Sequence, residues 1–377
     1  MVPTAGHVLR SYLPRSATFV HTTLRHQRGY RPVVLAGRLE NAAEFPVEHL
    51  VELAAPGSPL PTRLARRAAA LAARAPGVWE HRIRVEAERH GCALLHAHFG
   101  YGAPPALHAA ERDGIPLLTT FYGNDLALPA REPAWREAYD RLFEVGRLFL
   151  CEGPAMREHL VSIGAPATQV RVVRIGLDLE QFPFAPRPRG ERIVFGQACR
   201  FVEKKGVDLT LRAFAAALPR LGDAELLLVG DGPEAERLRA LASDLGLGDA
   251  VRFHGMVSHA EYRDLLASID VCVQPSRTAA DGDTEGGAPT VLLEMQAAGV
   301  PVIATSHADI PAVVARPDEL AAEEDVESLA AAMEREAALG EPERAERAEA
   351  GRALVEQAHD ARVVAAGLER LYDEAAP

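Results

Sequence analysis

The sequence predicts an α/β protein made of two doubly wound, parallel-sheet, Rossmann-like domains. Three observations carry that prediction. Short β-branched apolar runs alternate with helical segments, a proline-rich stretch breaks the alternation, and the alternation then restarts. Strands that alternate with helices run parallel and are covered on both faces, so they read as continuous apolar runs. At 377 residues the chain also exceeds the size at which single cores stop growing.

In the first half, residues 31–36, 94–98, 115–121, 148–151 and 170–173 read as buried strands. Helical spacing occupies 103–112, 135–145 and 154–163. The stretch Phe182-Pro183-Phe184-Ala185-Pro186-Arg187-Pro188-Arg189-Gly190 cannot continue a helix or a central strand and reads as a linker. Beyond it, strands are expected at 193–196, 225–229, 251–253, 271–273 and 300–303, with helices starting near Val207, Pro233, Ala260 and Pro289. From Asp325 the chain is alanine- and glutamate-rich helix, and its last segment, 361–372, is long enough to cross back over the first domain. The expected division is therefore 1–182, a linker at 183–192, a second domain at 193–358 and a crossing helix at 359–377. Two such halves imply a ligand cleft between them at the carboxyl ends of their strands, with the linker and crossing helix as hinge.

Composition narrows the function. A net charge of -12 argues against a nucleic-acid partner, which would leave a basic footprint. Cys92, Cys151, Cys199 and Cys272 lie far apart with no CxxC pair, so neither a zinc site nor a disulfide framework is expected. No basic-then-apolar leader and no membrane-length apolar run is visible, and a cytoplasmic enzyme is the expectation. Arg63, Arg66, Arg67 and Arg74, interleaved with Leu64 and Leu71, read as ordinary surface arginine, with weak membrane-surface association as the alternative.

The chain uses arginine almost everywhere, and its only two lysines are Lys204 and Lys205. A compact ammonium suits a crowded phosphate better than a guanidinium fork. Lys205-Gly206 opens the helix that follows the strand ending Gly196-Gln197-Ala198-Cys199-Arg200, so Arg200 and Lys205 flank one strand-to-helix turn. Two cations beside a helix start suit a diphosphate leaving group. Lys204 is read as a chance survivor whose replacement should be nearly silent. A second anion-binding helix start lies at Gly286-Gly287-Ala288-Pro289, with Glu285 before it and Glu294 inside it, the latter placed to accept both hydroxyls of a ribose.

These residues make a resemblance visible. Arg200 with Lys205-Gly206, Val229-Gly230-Asp231-Gly232-Pro233, Phe253-His254-Gly255, Pro275-Ser276, Glu285-Gly286, Glu294 and Ala298-Gly299-Val300-Pro301-Val302-Ile303-Ala304-Thr305 resemble the donor domain of the family 4 glycosyltransferases, enzymes of the GT-B fold. The first half is similar to the bacterial exopolysaccharide branch through Leu13-Pro14-Arg15-Ser16-Ala17-Thr18-Phe19, His96-Ala97-His98-Phe99-Gly100, Thr120-Phe121-Tyr122-Gly123-Asn124-Asp125 and Gly176-Leu177-Asp178. The resemblance implies an acceptor-side first domain and a nucleotide-sugar donor domain after it. It implies that Arg200 and Lys205 neutralise the donor diphosphate and that Glu294 holds the ribose. Gly255, Met256 and Val257 would line the base, while Ser276, Glu285, Gly286, Gly287, Ala288 and Pro289 surround the donor. His98 matches the histidine at the sugar; Ser16, Thr18, Tyr122 and Asp125 fall on the acceptor side. The implied activity is a hexosyltransferase reaction of carbohydrate biosynthesis, from a nucleotide-diphosphate sugar to an acceptor hydroxyl, retaining and without metal or other cofactor. A hydrolase or epimerase of the same fold and a non-catalytic sugar-nucleotide-binding protein are the alternatives.

The chain departs from the family pattern in three places. Eight residues separate Glu285 from Glu294, one more than in the family motif, so either the glycine loop bulges or Glu285 no longer reaches the donor sugar. Tyr122 stands where many relatives carry histidine, and Pro14-Arg15-Ser16 replaces a double-glycine turn. His96 is expected to point away from His98 as a satisfied buried histidine. Asp281-Gly282-Asp283 is read as a solvated loop, His254 as a surface residue, and Asp125 as either an acceptor contact or a turn cap.

Overall fold

The computed structural model describes residues 2–13, 17–53, 76–123, 125–126, 132–188 and 190–376, and elements are numbered within these. Ser16 and the arginines at 63, 66, 67 and 74 lie outside the described residues. The chain forms two compact units, Met1–Gly176 with Ala361–Pro377, and Leu177–Asp360.

The first unit runs β1 (Thr4–Leu9), α1 (Thr18–His26), β2 (Arg31–Ala36), β3 (Leu50–Glu52), α2 (Pro76–His90), β4 (Cys92–His98), α3 (Pro104–Asp113), β5 (Leu117–Thr120), α4 (Pro133–Val145), β6 (Leu148–Cys151), α5 (Pro154–Ser162) and β7 (Val170–Val172). Its parallel sheet has the order β3-β2-β1-β4-β5-β6-β7. The winding direction reverses between β1 and β4, and open α/β sheets bind ligands at the carboxyl end of such a switch. The central strand β1 was not among the expected strands, because Gly6 and His7 interrupt its apolar run. Both belong there: a Cβ on Gly6 would lie 2.7 Å from the Leu95 side chain, and His7 is fully buried. His96 does not point away from His98. Their rings stack at 4.3 Å, because residues two apart on a strand share a face and Ala97 takes the other.

The second unit runs β8 (Ile193–Ala198), α6 (Val207–Leu221), β9 (Ala224–Val229), α7 (Ala235–Asp244), β10 (Val251–Gly255), α8 (His259–Leu266), β11 (Val271–Gln274), α9 (Thr290–Ala298), β12 (Val302–Ala304), α10 (Val326–Ala338) and α11 (Glu341–His359). Its sheet order, β10-β9-β8-β11-β12, places the switch between β8 and β11. Phe195, Phe201, Leu211, Phe214, Leu226 and Leu228 fill one core. Pro289 is the cap before α9 rather than a residue of its first turn. The proline-rich stretch packs on this unit: the Ala185 amide donates to the Ala298 carbonyl at 3.1 Å and Arg187 donates to the Ser268 carbonyl at 2.7 Å.

The last helix, α12 (Ala361–Ala375), belongs to the first unit. Its Leu368 and Tyr372 cover the sheet face formed by Ala5, Leu94, Leu118 and Leu150. The Glu369 carboxylate accepts the amides of Arg28 and Gly29 at 2.6 and 2.7 Å. The Tyr372 hydroxyl lies 2.7 Å from Nδ1 of His96 and accepts from Gln27 at 3.3 Å. Among the described residues no helix is long and apolar enough to cross a membrane, and none of the four cysteines is in a disulfide.

Tyr372→Phe keeps the ring and removes the hydroxyl, leaving a buried histidine nitrogen without its partner. The expected loss is about 1–3 kcal/mol, read as a fall of a few degrees in the calorimetric melting temperature. An unchanged midpoint would show that the hydroxyl holds nothing.

Candidate active site

In the second unit, the loops after β8 and β11 meet. Gly206 adopts φ 62°, and a Cβ there would sit 2.0 Å from the Pro275 carbonyl oxygen, so only glycine permits the approach. Lys205 is fixed beside it: buried Gln197 donates to the Lys205 carbonyl at 2.8 Å and itself accepts from Thr210 at 2.7 Å. The Lys205 ammonium then reaches Glu285 at 2.7 Å, with side chains 18% and 6% exposed, too shielded to behave as an ordinary surface pair. The other Glu285 oxygen accepts from the Ser276 hydroxyl at 2.7 Å, and Ser276 accepts from Gln274 at 3.0 Å. Arg200 is exposed, and its guanidinium has no bonded partner among the described residues.

The acidic loop is not simply solvated. Lys204 binds Asp283 at 3.1 Å and donates to the Thr284 carbonyl at 2.8 Å, so the lysine read as a chance survivor clamps the loop that carries Glu285. Gly282 and Gly286 take φ 79° and 77°, which lets the longer loop turn back toward Lys205. The Gly286 amide is already given to Thr284 Oγ1 at 2.9 Å, whereas those of Gly287 and Ala288 have no partner among the described residues. The Glu285 amide donates to His307 Nε2 at 3.2 Å, which places the ring proton on Nδ1, where it meets Glu323 at 2.7 Å.

Glu294 lies one turn into α9 and accepts from the Tyr262 hydroxyl of α8 at 2.7 Å. Burial pushes its carboxyl up to about 6, with the tyrosine bond pulling the other way. At the end of β10, Gly255 has φ 87° and Met256 is 71% exposed, an apolar side chain held in the open beside the half-buried Val257. His254 is exposed, as expected.

In the first unit, His98 ends β4 at the switch point. Both its ring nitrogens are occupied: Nε2 lies 3.0 Å from His7 Nδ1, and Nδ1 lies 2.8 Å from the Tyr122 hydroxyl. His96 bonds Tyr372 through Nδ1 and Thr120 through Nε2, each at 2.7 Å, and is satisfied. Burial drives His7 down to about 3 and His96 and His98 well below the usual imidazole range. Asp125 is a turn clamp. Its buried carboxylate accepts the amides of Gly100 and Tyr122 at 2.7 and 3.1 Å, and burial raises it to about 6. Phe99 at that turn carries φ 64°, a strained value held by this network. Thr18 opens α1, whose Phe19 contacts the Tyr122 ring at 4.8 Å.

Sequence reasoning passed over His7, Thr120, Tyr262, His307, Glu323 and Tyr372. His307 follows β12 at the sheet's carboxyl edge, a position that marks ligand-side residues in such folds. The others are joined to their partners only by the winding of the chain.

Comparison with known proteins bears on the family and the fold. Residues 17–181 match the family described as Glycosyltransferase Family 4, and residues 192–338 match Glycosyl transferases group 1. The chain is 30% identical over 241 residues to the amylovoran biosynthesis glycosyltransferase AmsK of Erwinia amylovora, covering 63% of this chain and 59% of that protein. It is 32% identical over 228 residues to a GDP-mannose-dependent phosphatidylinositol monomannoside mannosyltransferase of Mycobacterium tuberculosis, covering 57% of this chain and 59% of that one. The matched region thus spans less than two thirds of these relatives. Among solved structures, HepE of Anabaena with UDP-glucose superposes with a TM-score of 0.75 at 16% identity, covering 98% of this chain and 99% of that one. Sucrose-phosphate synthase of Thermosynechococcus elongatus gives 0.75 at 19% identity, covering 99% of both. Two matched halves, two switch-point sites and one shared architecture lead to a single conclusion: the chain belongs to the family 4 glycosyltransferases of the GT-B fold.

Proposed function

We propose that the protein transfers a sugar from a nucleotide-diphosphate donor to an acceptor hydroxyl, with retention and without a metal. The observation that carries this is the shielded Lys205–Glu285 pair at the switch point of the second unit. An ammonium held there by a carboxylate is ready to exchange that partner for a phosphate, while Arg200 stands exposed on the same turn. The exchange frees Glu285 for the hydroxyls of the donor sugar. Glu294 accepts the ribose hydroxyls, and Met256 offers an apolar surface to the base. With Lys205 and Arg200 stabilising the departing diphosphate, its phosphate oxygen can take the acceptor proton on the same face, which retains configuration and asks no nucleophile of the protein. The names of the relatives point to bacterial surface polysaccharide or lipid-linked acceptors.

The first test is a thermal-shift panel of UDP-, GDP-, ADP- and dTDP-sugars with EDTA present, since a ligand of the folded state raises its melting temperature. One nucleotide series is expected to stabilise the protein without metal. No shift from any of them would overturn the donor reading, and a shift that needs metal would overturn that part of it. Free sugar or an epimer formed without acceptor would favour a hydrolase or epimerase, and the anomeric configuration of a transferred sugar, read by NMR, tests retention.

Lys205→Ala is expected to weaken donor binding about 10- to 100-fold, the range for losing a hydrogen bond to a charged group, with Lys205→Arg recovering only part. Lys204→Ala is expected to slow transfer severalfold through the loosened loop. Wild-type rates in all three variants would remove the lysines from the site.

Donor affinity is also expected to fall in acid. Glu294 binds hydroxyls as a carboxylate and titrates near 6, so affinity holds above that pH and drops below it. Tyr262→Phe removes a bond that favours the ionised form and moves the drop to higher pH. Calorimetric titration across the range reads both, and affinity flat through that pH would exclude Glu294 as the acceptor.

A further inference from the structure

The histidines of the first unit form a directed chain that the proposed chemistry above does not use. It runs from Tyr122 through His98 to His7, over distances of 2.8 and 3.0 Å. His7 and His98 are shut off from solvent, whereas Tyr122 is half-buried. Neutral imidazole carries one donor and one acceptor, so the chain has two proton arrangements. In one, the phenol donates to His98 Nδ1, His98 Nε2–H donates to His7 Nδ1, and His7 Nε2–H points outward. In the other, every proton is reversed and His7 Nε2 is a bare lone pair.

The surroundings choose between them. His7 Nε2 and Gln27 Oε1 are both buried without a partner at bonding distance, while the Gln27 nitrogen is given to Tyr372. The Gln27 side chain also acts against burial in favour of protonated His7, as an acceptor would. A proton on His7 Nε2 therefore faces an acceptor, and a lone pair there would face another lone pair.

We propose that the Tyr122 phenol oxygen reads a sugar hydroxyl as a hydrogen-bond donor, and that His98 and His7 are positioning residues that hold the phenol hydrogen inward. With that hydrogen committed to His98, the oxygen can only accept. The Thr120 hydroxyl is bonded to His96 at 2.7 Å, and the phenol oxygen keeps at least one lone pair for a ligand. His98 cannot make the contact, since both ring nitrogens are in use. The chain orients rather than relays: a proton passed along it would come to rest on His7, whose pKa near 3 rejects it. That the ligand is a sugar rests on the glycosyltransferase reading; the order of the protons does not.

The test uses the whole protein labelled with 15N in its histidines, with methyl α-glucopyranoside, methyl α-mannopyranoside and methyl α-galactopyranoside as probes. Ring-nitrogen NMR is expected to show His98 and His7 as Nε2–H tautomers from about pH 5 to 8. At least one glycoside should shift the His98 Nδ1 resonance saturably. In Tyr122→Phe that response should vanish and glycoside affinity should fall about 3- to 10-fold, the range for one neutral hydrogen bond. The nucleotide-sugar thermal shift should remain in that variant. His7→Leu should scramble the His98 tautomer and weaken the glycoside likewise, and His7→Gln, which restores an acceptor, should recover both. An Nδ1–H tautomer at His98, a glycoside response unchanged in Tyr122→Phe, or no response to any glycoside would each overturn the proposal. A glycoside response in a protein that binds no nucleotide sugar would instead leave this contact standing and remove the transferase reading.

Discussion

The salt bridge between Lys205 and Glu285 is the interaction around which the second unit's site is assembled. Neither charge can be left alone at that depth, because removing one partner of a shielded pair typically costs about 3–5 kcal/mol. The neighbouring features all serve to keep the two within reach. Gly206 allows the loops to touch, Gln197 fixes the lysine's backbone, and Ser276 fixes the carboxylate. Lys204 and His307 hold the loop on which Glu285 sits. The pair at the centre of the site is thus neutral, its two charges compensated 2.7 Å apart.

The first unit solves a different problem. Its switch point lies in a sheet covered on both faces, where an isolated charge would be prohibitively desolvated. Its polar groups are therefore neutral and paired with one another: His7 with His98, His98 with Tyr122, His96 with Thr120 and Tyr372. Asp125 carries a carboxyl into this region, where two backbone amides occupy it, and the buried Glu152 lies near Tyr122 as well. One site is built on a compensated pair of charges and the other on a chain of hydrogen bonds.

Much of this was legible in the amino-acid order. Strands such as Leu148–Cys151 announce themselves because both faces are buried, and Arg200 and Lys205 fall in the turn after a strand that the sequence marks plainly. The first strand escaped because Gly6 is there for cross-strand packing and His7 for hydrogen bonding, and neither shows as hydrophobic periodicity. His96 and His98 stand two apart on one strand and so share a face, contrary to the expectation that they diverge. Lys204 passed as incidental because its partner, Asp283, lies 79 residues away. Tyr262 with Glu294, and Tyr372 with His96, are likewise pairs that only the winding of the sheets creates.

The place of α12 has a consequence for how the molecule is made. Domains emerging from a ribosome tend to fold in order, as each becomes complete. Here the first unit is not complete when its last strand emerges, because Tyr372, Leu368 and Glu369 are synthesised only after the whole of Leu177–Asp360. Until then His96 and the turn at Arg28 and Gly29 lack their partners, and the sheet face of Ala5, Leu94, Leu118 and Leu150 is uncovered. A nascent chain paused anywhere within the second unit presents that apolar face to chaperones, and the first unit closes only once α12 has emerged.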